Sequence, residues 1–282
     1  MTKYYFIECK SAVSHSSLPG LDYTLNPYVG CEHGCLYCYE RGFCRSREES
    51  LSWGKFVRVK ANLLDALRHQ LAKLPKGTVG VSTATDPYQP IEARLRLTRA
   101  CLKLLNEAGF PISIQTKSAL ILKDIDLISS INCDVGITLS TLDRSLARRL
   151  EPRAASPNAL VKVLERLSSR GIKTWVFLGP LIPELNDDDA NIKEIIRVAR
   201  DTNSTIIYDK LNLKPWVLDA LGPLLEERRV GLSKNLPFLV KRNSSYWQRM
   251  RSKVERFCKN LDVRCEPAFK VDEQAKLTKF LI

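Results

Sequence analysis

The sequence predicts an α/β fold: a partial (β/α)6 TIM-type barrel over residues 1–213, followed by a basic helical extension over residues 214–282. Short apolar runs alternate with amphipathic helical stretches from Thr78 to about Leu213, and such alternation builds βαβ units and a parallel sheet. Polar residues gather just after the apolar runs, where a barrel keeps its chemistry. Beyond Leu213 the alternation stops and cations accumulate.

The first strand falls at Asp22–Leu25, ahead of a cysteine-rich loop, with a helix at Leu63–Leu74 after it. Five more strands follow at Val79–Thr83, Ile112–Thr116, Val135–Ser140, Thr174–Leu178 and Thr205–Tyr208. Helices at Thr98–Ala108, Leu120–Ser129, Pro157–Ser169 and Asp187–Asp201 separate them. Leu160, Val163, Leu164 and Leu167 share one helical face, and Gly171 is the stop. The polar strand-end loops are Ser82–Pro87, Thr116–Ser118, Ser140–Asp143 and Gly179–Asn186. In the extension, Pro215, Gly222-Pro223 and Pro237 interrupt helices expected at Leu218–Arg229 and Tyr246–Leu261.

Among 282 residues, 44% are apolar and 27% charged, the balance of an ordinary globular protein. The opening MTKYYFIECK turns polar before an export signal can form, and no apolar run reaches the roughly 18 residues of a membrane span. A cytoplasmic protein without a membrane partner is expected, its nine cysteines reduced. The net charge of +13 is uneven. From Arg228 to Lys259 ten Lys/Arg face a single acid, Glu255. A basic segment of this kind suits a polyanion, with DNA or RNA the commonest case. Phe238, Tyr246, Trp247 and Phe257 interleave with those cations and suggest stacking on bases.

The run NPYVGCEHGCLYCYE sets Cys31, Cys35 and Cys38 in a C-x3-C-x2-C spacing. Three thiolates ligate three irons of a [4Fe–4S] cluster and leave the fourth open to a bidentate small molecule, whereas electron-transfer sites normally supply four. Gly30 and Gly34 let the backbone curl tightly, and Tyr37 can offer a flat face or backbone groups to a nucleobase. A zinc site is the competing reading. It wants a fourth ligand, and His33 lies awkwardly between two of the cysteines. A second cluster drawing on Cys44, Cys258 or Cys265 also stays open.

With an aromatic before its last cysteine, this spacing resembles the signature of the radical S-adenosylmethionine (SAM) superfamily. The segments NPYVGCEHGCLYCYER, STATDPYQPIEARLRLTR, QTKSALILKDIDLI, TLSTLDRSLARRLEPRAASP and VFLGPLIPELND are similar to its spore photoproduct lyase-like branch, from about Asn26 to Asp187. The resemblance implies a radical SAM barrel that reductively cleaves SAM at its [4Fe–4S] cluster. The 5′-deoxyadenosyl radical so formed abstracts a hydrogen atom, in the lyase from a thymine lesion in DNA, and an electron donor is implied as partner.

Carried over residue by residue, the resemblance gives Thr83, Thr85 and Asp86 to the amino group of SAM and Lys117 to its carboxylate. Ser140 and Thr141 go to the ribose or carboxylate, Arg153 to a carboxylate, and Leu178 to the adenine by backbone, with Gly179 and Pro180. Each has a plainer reading: Asp86 as turn former or helix cap, Lys117 as a solvated charge, Ser140 and Thr141 as helix caps, Arg153 as partner of Glu151 or another surface acid. Asp187, Asp188 and Asp189 read as the charged start of a helix. The sequence departs from the lyase at one place. Where the lyase carries a hydrogen-returning cysteine just ahead of the strand-2 loop, this chain has Thr83 or its neighbour. The alternative for the whole chain is a nucleic-acid-binding protein with a structural or redox-sensing cluster. Such a cluster would not need Lys117, Asp86 and Arg153 around it.

Overall fold

A computed structural model describes residues 1–269 of the chain, so the end of the basic extension, residues 270–282, lies outside the described residues. Eleven strands are described: β1 (Lys3–Ile7), β2 (Val13–His15), β3 (Tyr23–Leu25), β4 (Tyr28–Val29), β5 (Phe56–Lys60), β6 (Val79–Val81), β7 (Ile112–Thr116), β8 (Cys133–Thr138), β9 (Lys173–Leu181), β10 (Thr205–Lys210) and β11 (Cys265–Pro267). The larger sheet runs β11-β10-β9-β8-β7-β6-β3-β2. All its neighbours are parallel except the edge pair β2–β3. The six predicted strands are therefore β3 and β6 to β10, each in its expected place in the barrel. Strand β6 stops at Val81, two residues short of the predicted end, because Ser82 turns to a left-handed φ of 63°.

The apolar core fills the space between this sheet and its helices. Leu160, Val163, Leu164 and Leu167 of the helix Pro157–Ser168 are buried there, each stabilising the fold by about 1.5–3 kcal/mol relative to exposure. Along β10 the side chains alternate: Ile206 and Tyr208 are buried under helices, while Ile207 and Asp209 are half-buried. Strands β7 and β9 show the same alternation. The inner face of the sheet thus lines a hollow. The predicted helix Leu120–Ser129 is a 3-10 turn, Ala119–Asp124, running into one short α-turn, Ile125–Ile128.

Two regions were not anticipated. A second sheet, β1-β5-β4, brackets the cysteine loop between β4 and β5. Strand β11 adds a parallel edge to β10. Beyond residue 213 come helices at Val217–Arg228, Leu232–Leu239 and Ser245–Asn260. The last packs on the barrel helix Asp189–Asp201. Its Tyr246, Trp247 and Phe257 are buried in the main core, so three of the four aromatics expected to stack on bases are packing residues instead. Their helical spacing puts them on the apolar face and leaves the cations outside. Phe238 alone of the four is exposed, with Lys241 Nζ 5.0 Å from its ring centre.

Candidate functional site

The chain enters the cysteine loop through Gly30, whose φ of 84° and contact with Phe56 exclude a side chain; an added Cβ would stand 2.7 Å from Phe56 O. Three clamps then fix the loop to the barrel. Gln89 accepts from Glu32 N (2.9 Å) and donates to Gly30 O (3.3 Å), while Glu32 accepts from Ile91 N (2.8 Å) and the Tyr4 hydroxyl (2.9 Å). On the other side Leu36 N donates to Leu150 O (2.8 Å) and Arg153 N to His33 O (3.2 Å). Inside the loop, buried Arg41 donates to the carbonyls of Ser50 (2.6 Å) and Cys35 (3.2 Å).

Cys31 and Cys35 are buried and Cys38 is half-buried. Burial pushes all three thiols up, Cys38 to about 12, so ligation displaces protons. Among the described residues no group of three His, Cys, Asp or Glu side chains is arranged around a single ion. In a cubane each thiolate takes a different iron and stands farther from its neighbours. Three thiolates are the donor set of the [4Fe–4S] cluster that the motif implies, whereas a structural zinc site takes four ligands.

Asp86, after β6, is buried and faces the chain. It accepts from Thr116 Oγ1 (2.7 Å), Lys117 N (2.7 Å) and Tyr88 N (2.9 Å), and its Oδ2 lies 3.3 Å from His33 Nδ1. Burial alone would raise this carboxyl; His33 and the hydrogen bonds outweigh it and hold the group below the usual carboxylate range. Asp86 thereby ties the ends of β6 and β7 to the cysteine loop. Thr83 Oγ1 is shared with Thr24 (2.6 Å), and the Thr83 carbonyl accepts from Tyr39. The Ser82 and Thr85 hydroxyls are buried with no partner in the structure, as hydroxyls that await a ligand would be.

The next strand ends converge on Glu151, which sequence reasoning missed. Its Oε1 accepts from the Tyr37 hydroxyl, from Ser140 Oγ (2.6 Å) and from Lys117 Nζ (3.4 Å). Lys117 Nζ also lies 5.3 Å from the Tyr37 ring centre. Tyr37, Lys117 and Ser140 are thus one cluster. Thr141 accepts from Asp143 N (3.1 Å) and lines a cavity of about 360 Å³ with Leu146, Leu185 and Asn191. Asn186, also missed, is buried and donates to Ser140 O (2.8 Å) and Pro180 O (3.0 Å). Arg153 points elsewhere, to Gly54 O (2.6 Å) and Thr2 (2.9 Å), and does not pair with Glu151. Leu178 turns its side chain into the outer core, so only its backbone faces the hollow.

The sequence pattern of the family described as the Radical SAM superfamily matches residues 25–198. An uncharacterized protein of Methanocaldococcus jannaschii is 34% identical over 209 residues, covering 74% of this chain and 77% of that one. A radical SAM Nα-GlyT isomerase of Pseudomonas phage M6 is 28% identical over 187 residues, 64% of this chain but only 38% of its own. Among solved structures, a spore photoproduct lyase mutant with dinucleoside spore photoproduct superposes with a TM-score of 0.70 at 14% identity, over 94% of this chain and 81% of that one. Another lyase mutant, holding AdoMet as well, gives 0.69 over 94% and 82% at 12% identity. The matched residues include the cysteine loop and every strand end described above: the chain belongs to the radical SAM superfamily and carries its partial-barrel fold.

Proposed function

We propose that this chain is a cytoplasmic radical SAM enzyme that acts on a nucleic acid, with residues 1–213 as the catalytic barrel and residues 214–282 as a C-terminal basic extension. The single observation that carries the reading is the convergence of the cysteine loop, the Glu151 cluster and the two orphaned hydroxyls at one end of the hollow. When bound, the [4Fe–4S] cluster and SAM supply reductive cleavage of the sulfonium and a 5′-deoxyadenosyl radical for hydrogen abstraction. Cys31, Cys35 and Cys38 would hold the cluster, with an external one-electron donor reducing it.

The chain's own residues bind and orient. Lys117, held by Glu151, presents a cation for the SAM carboxylate, Ser140 sits beside it on the same Glu151 oxygen, and Thr141 follows along the chain with its hydroxyl accepting from Asp143 N. Ser82 and Thr85 offer unpaired hydroxyls to the methionyl end, while Thr83 and Asp86 keep the β6 loop in place through their own hydrogen bonds. Tyr37 closes the wall over Lys117, and the backbone at Leu178 is left for the adenine. Arg153 braces the cysteine loop from outside. Thr83 or its neighbour takes the place of the lyase's hydrogen-returning cysteine, and the Thr83 hydroxyl is engaged by Thr24. The reading accordingly extends to radical chemistry on a nucleic acid and stops short of the lyase reaction itself. The relative named as an isomerase is in keeping with varied outcomes within the family.

The test is anaerobic reconstitution with iron, sulfide, a strong reductant and SAM. Methionine and 5′-deoxyadenosine should form, and Cys35→Ser should abolish both. An intact cluster that yields no 5′-deoxyadenosine would overturn the enzyme reading and leave a structural or redox-sensing centre.

A further inference from the structure

The hollow has its own chemistry, apart from the SAM-facing strand ends. Deep inside, Trp175 Nε1 (2.8 Å) and Ser113 Oγ (2.7 Å) both donate to Asp134, and Gln115 donates to Thr138 Oγ1 (3.0 Å). These acceptors are taken. Higher up, across β8, β9 and β10, Thr138 pairs with Phe177 and Phe177 with Ile207. Phe177 lays its ring across Gly179, where an added Cβ would stand 2.6 Å from Cε1.

Just above that row the β9–β10 register slips. Tyr208 pairs with Leu178 but Lys210 with Leu181, so Gly179 and Pro180 together face Asp209 alone. Bulges of this kind re-aim side chains and recur beside active sites. Tyr208 points outward, its hydroxyl 2.7 Å from Glu255, which leaves Asp209 on the inner side. The Asp209 carboxyl is enclosed by protein on nearly every side yet still touched by solvent, as a group lining a cavity is. Its Oδ1 accepts from Lys210 N (2.8 Å), and among the described residues no cation forms an ion pair with it. A half-enclosed carboxyl for which Lys210 N is the one hydrogen-bond donor among the described residues, close to the half-buried Phe177 ring, is a candidate binding site.

We propose that Asp209, set beside Phe177 by the β9–β10 bulge, reads the hydrogen-bonding edge of a substrate nucleobase and selects guanine over thymine. This rests on the nucleic-acid reading above and names the residue that gives it base preference. Guanine presents two adjacent N–H donors that match a carboxylate. Thymine presents one, flanked by carbonyl oxygens that a carboxylate repels.

Burial pushes the Asp209 carboxyl up to about 6. The charged group that acts on it is Lys210 on its own strand, and Arg242 acts in turn on Lys210. On β9 the bulge contributes Phe177, Gly179 and Pro180, none of them titratable. The acceptor form is therefore present above about pH 6 and lost below it.

The experiment measures equilibrium binding of guanosine, inosine and thymidine 5′-monophosphates to the full chain. At about pH 8 guanosine monophosphate should bind roughly tenfold more tightly than thymidine monophosphate, with inosine monophosphate, one donor short, between them. The preference should fade by about pH 5, and Asp209→Asn should erase it at either pH. Phe177→Leu should weaken all three ligands alike and keep their order. If none of them binds the wild-type chain, the nucleic-acid reading falls together with the proposal. If they bind without a preference for guanosine, or the preference survives Asp209→Asn, the proposal alone falls. Thermal unfolding checks that Asp209→Asn is folded.

Discussion

Glu151 accepts hydrogen bonds from Tyr37, Lys117 and Ser140, which reach it from three separate segments. Replacing it by Gln preserves shape but removes the charge that holds Lys117, and hydrogen bonds to charged groups contribute about 1.5–3 kcal/mol. SAM should therefore bind about tenfold more weakly to Glu151→Gln, as read by equilibrium dialysis; unchanged affinity would show that Lys117 needs no partner. Asp209 gives a second prediction at this scale. Its folded-state pKa is raised, so the ionised carboxyl opposes folding above about pH 6 and the penalty fades as the group protonates at lower pH. Asp209→Asn should then be more stable than wild type at neutral pH, with the difference vanishing near about pH 4 in urea unfolding. The cysteines were legible because their spacing is local. Glu151 was not, because the sequence offers Arg153 as its neighbour while its real partners lie 114, 34 and 11 positions away.

The barrel strands meet through small residues as much as large ones. Gly136 on β8 accommodates the Trp175 ring of β9, and a Cβ there would lie 2.3 Å from it. Gly136→Ala should cost about 1–3 kcal/mol by overpacking, and it should also disturb the Trp175–Asp134 bond, visible as a change in tryptophan fluorescence. Leu164→Ala, in the outer core, should cost about 2–5 kcal/mol through the cavity it leaves. The six barrel strands were legible because each is a short apolar run set off by a helix of clear period. Strand β1 was not: Tyr5 and Phe6 are exposed, so its apolar run does not report burial. Strand β11 carries Pro267 and makes a three-residue edge, a pattern that ordinarily argues against a strand. The Asp209 bulge had no signature in sequence either, since register is a property of two strands together.

Across the molecule, the excess charge of the C-terminal segment is partly neutralised in place. Arg229 pairs with Glu184 (2.6 Å), Lys253 with Asp189 (2.9 Å) and Arg251 with Glu255 (3.7 Å). Lys241 and exposed Phe238 remain together on the surface. Binding of a short single-stranded DNA should weaken at least tenfold between about 50 mM and 200 mM salt, and Lys241→Glu should flatten that dependence while Phe238→Ala lowers affinity at every salt concentration. Affinity that ignores salt would remove the electrostatic groove. The net charge was legible from composition, but which aromatics accompany it was not. Helix Ser245–Asn260 directs most of them inward, and only its docking on the barrel decides that.

The clamps on the cysteine loop set an order of events during synthesis. Residues 30–38 leave the ribosome before the segments that fix them: strand β5, Gln89 and at last Leu150 and Arg153. The nascent loop therefore has its three thiols but lacks its last clamps until Leu150 and Arg153 have emerged. Iron delivery should then follow folding of the barrel, and a chain cut short before Leu150 should retain its cysteines but take up no stable cluster.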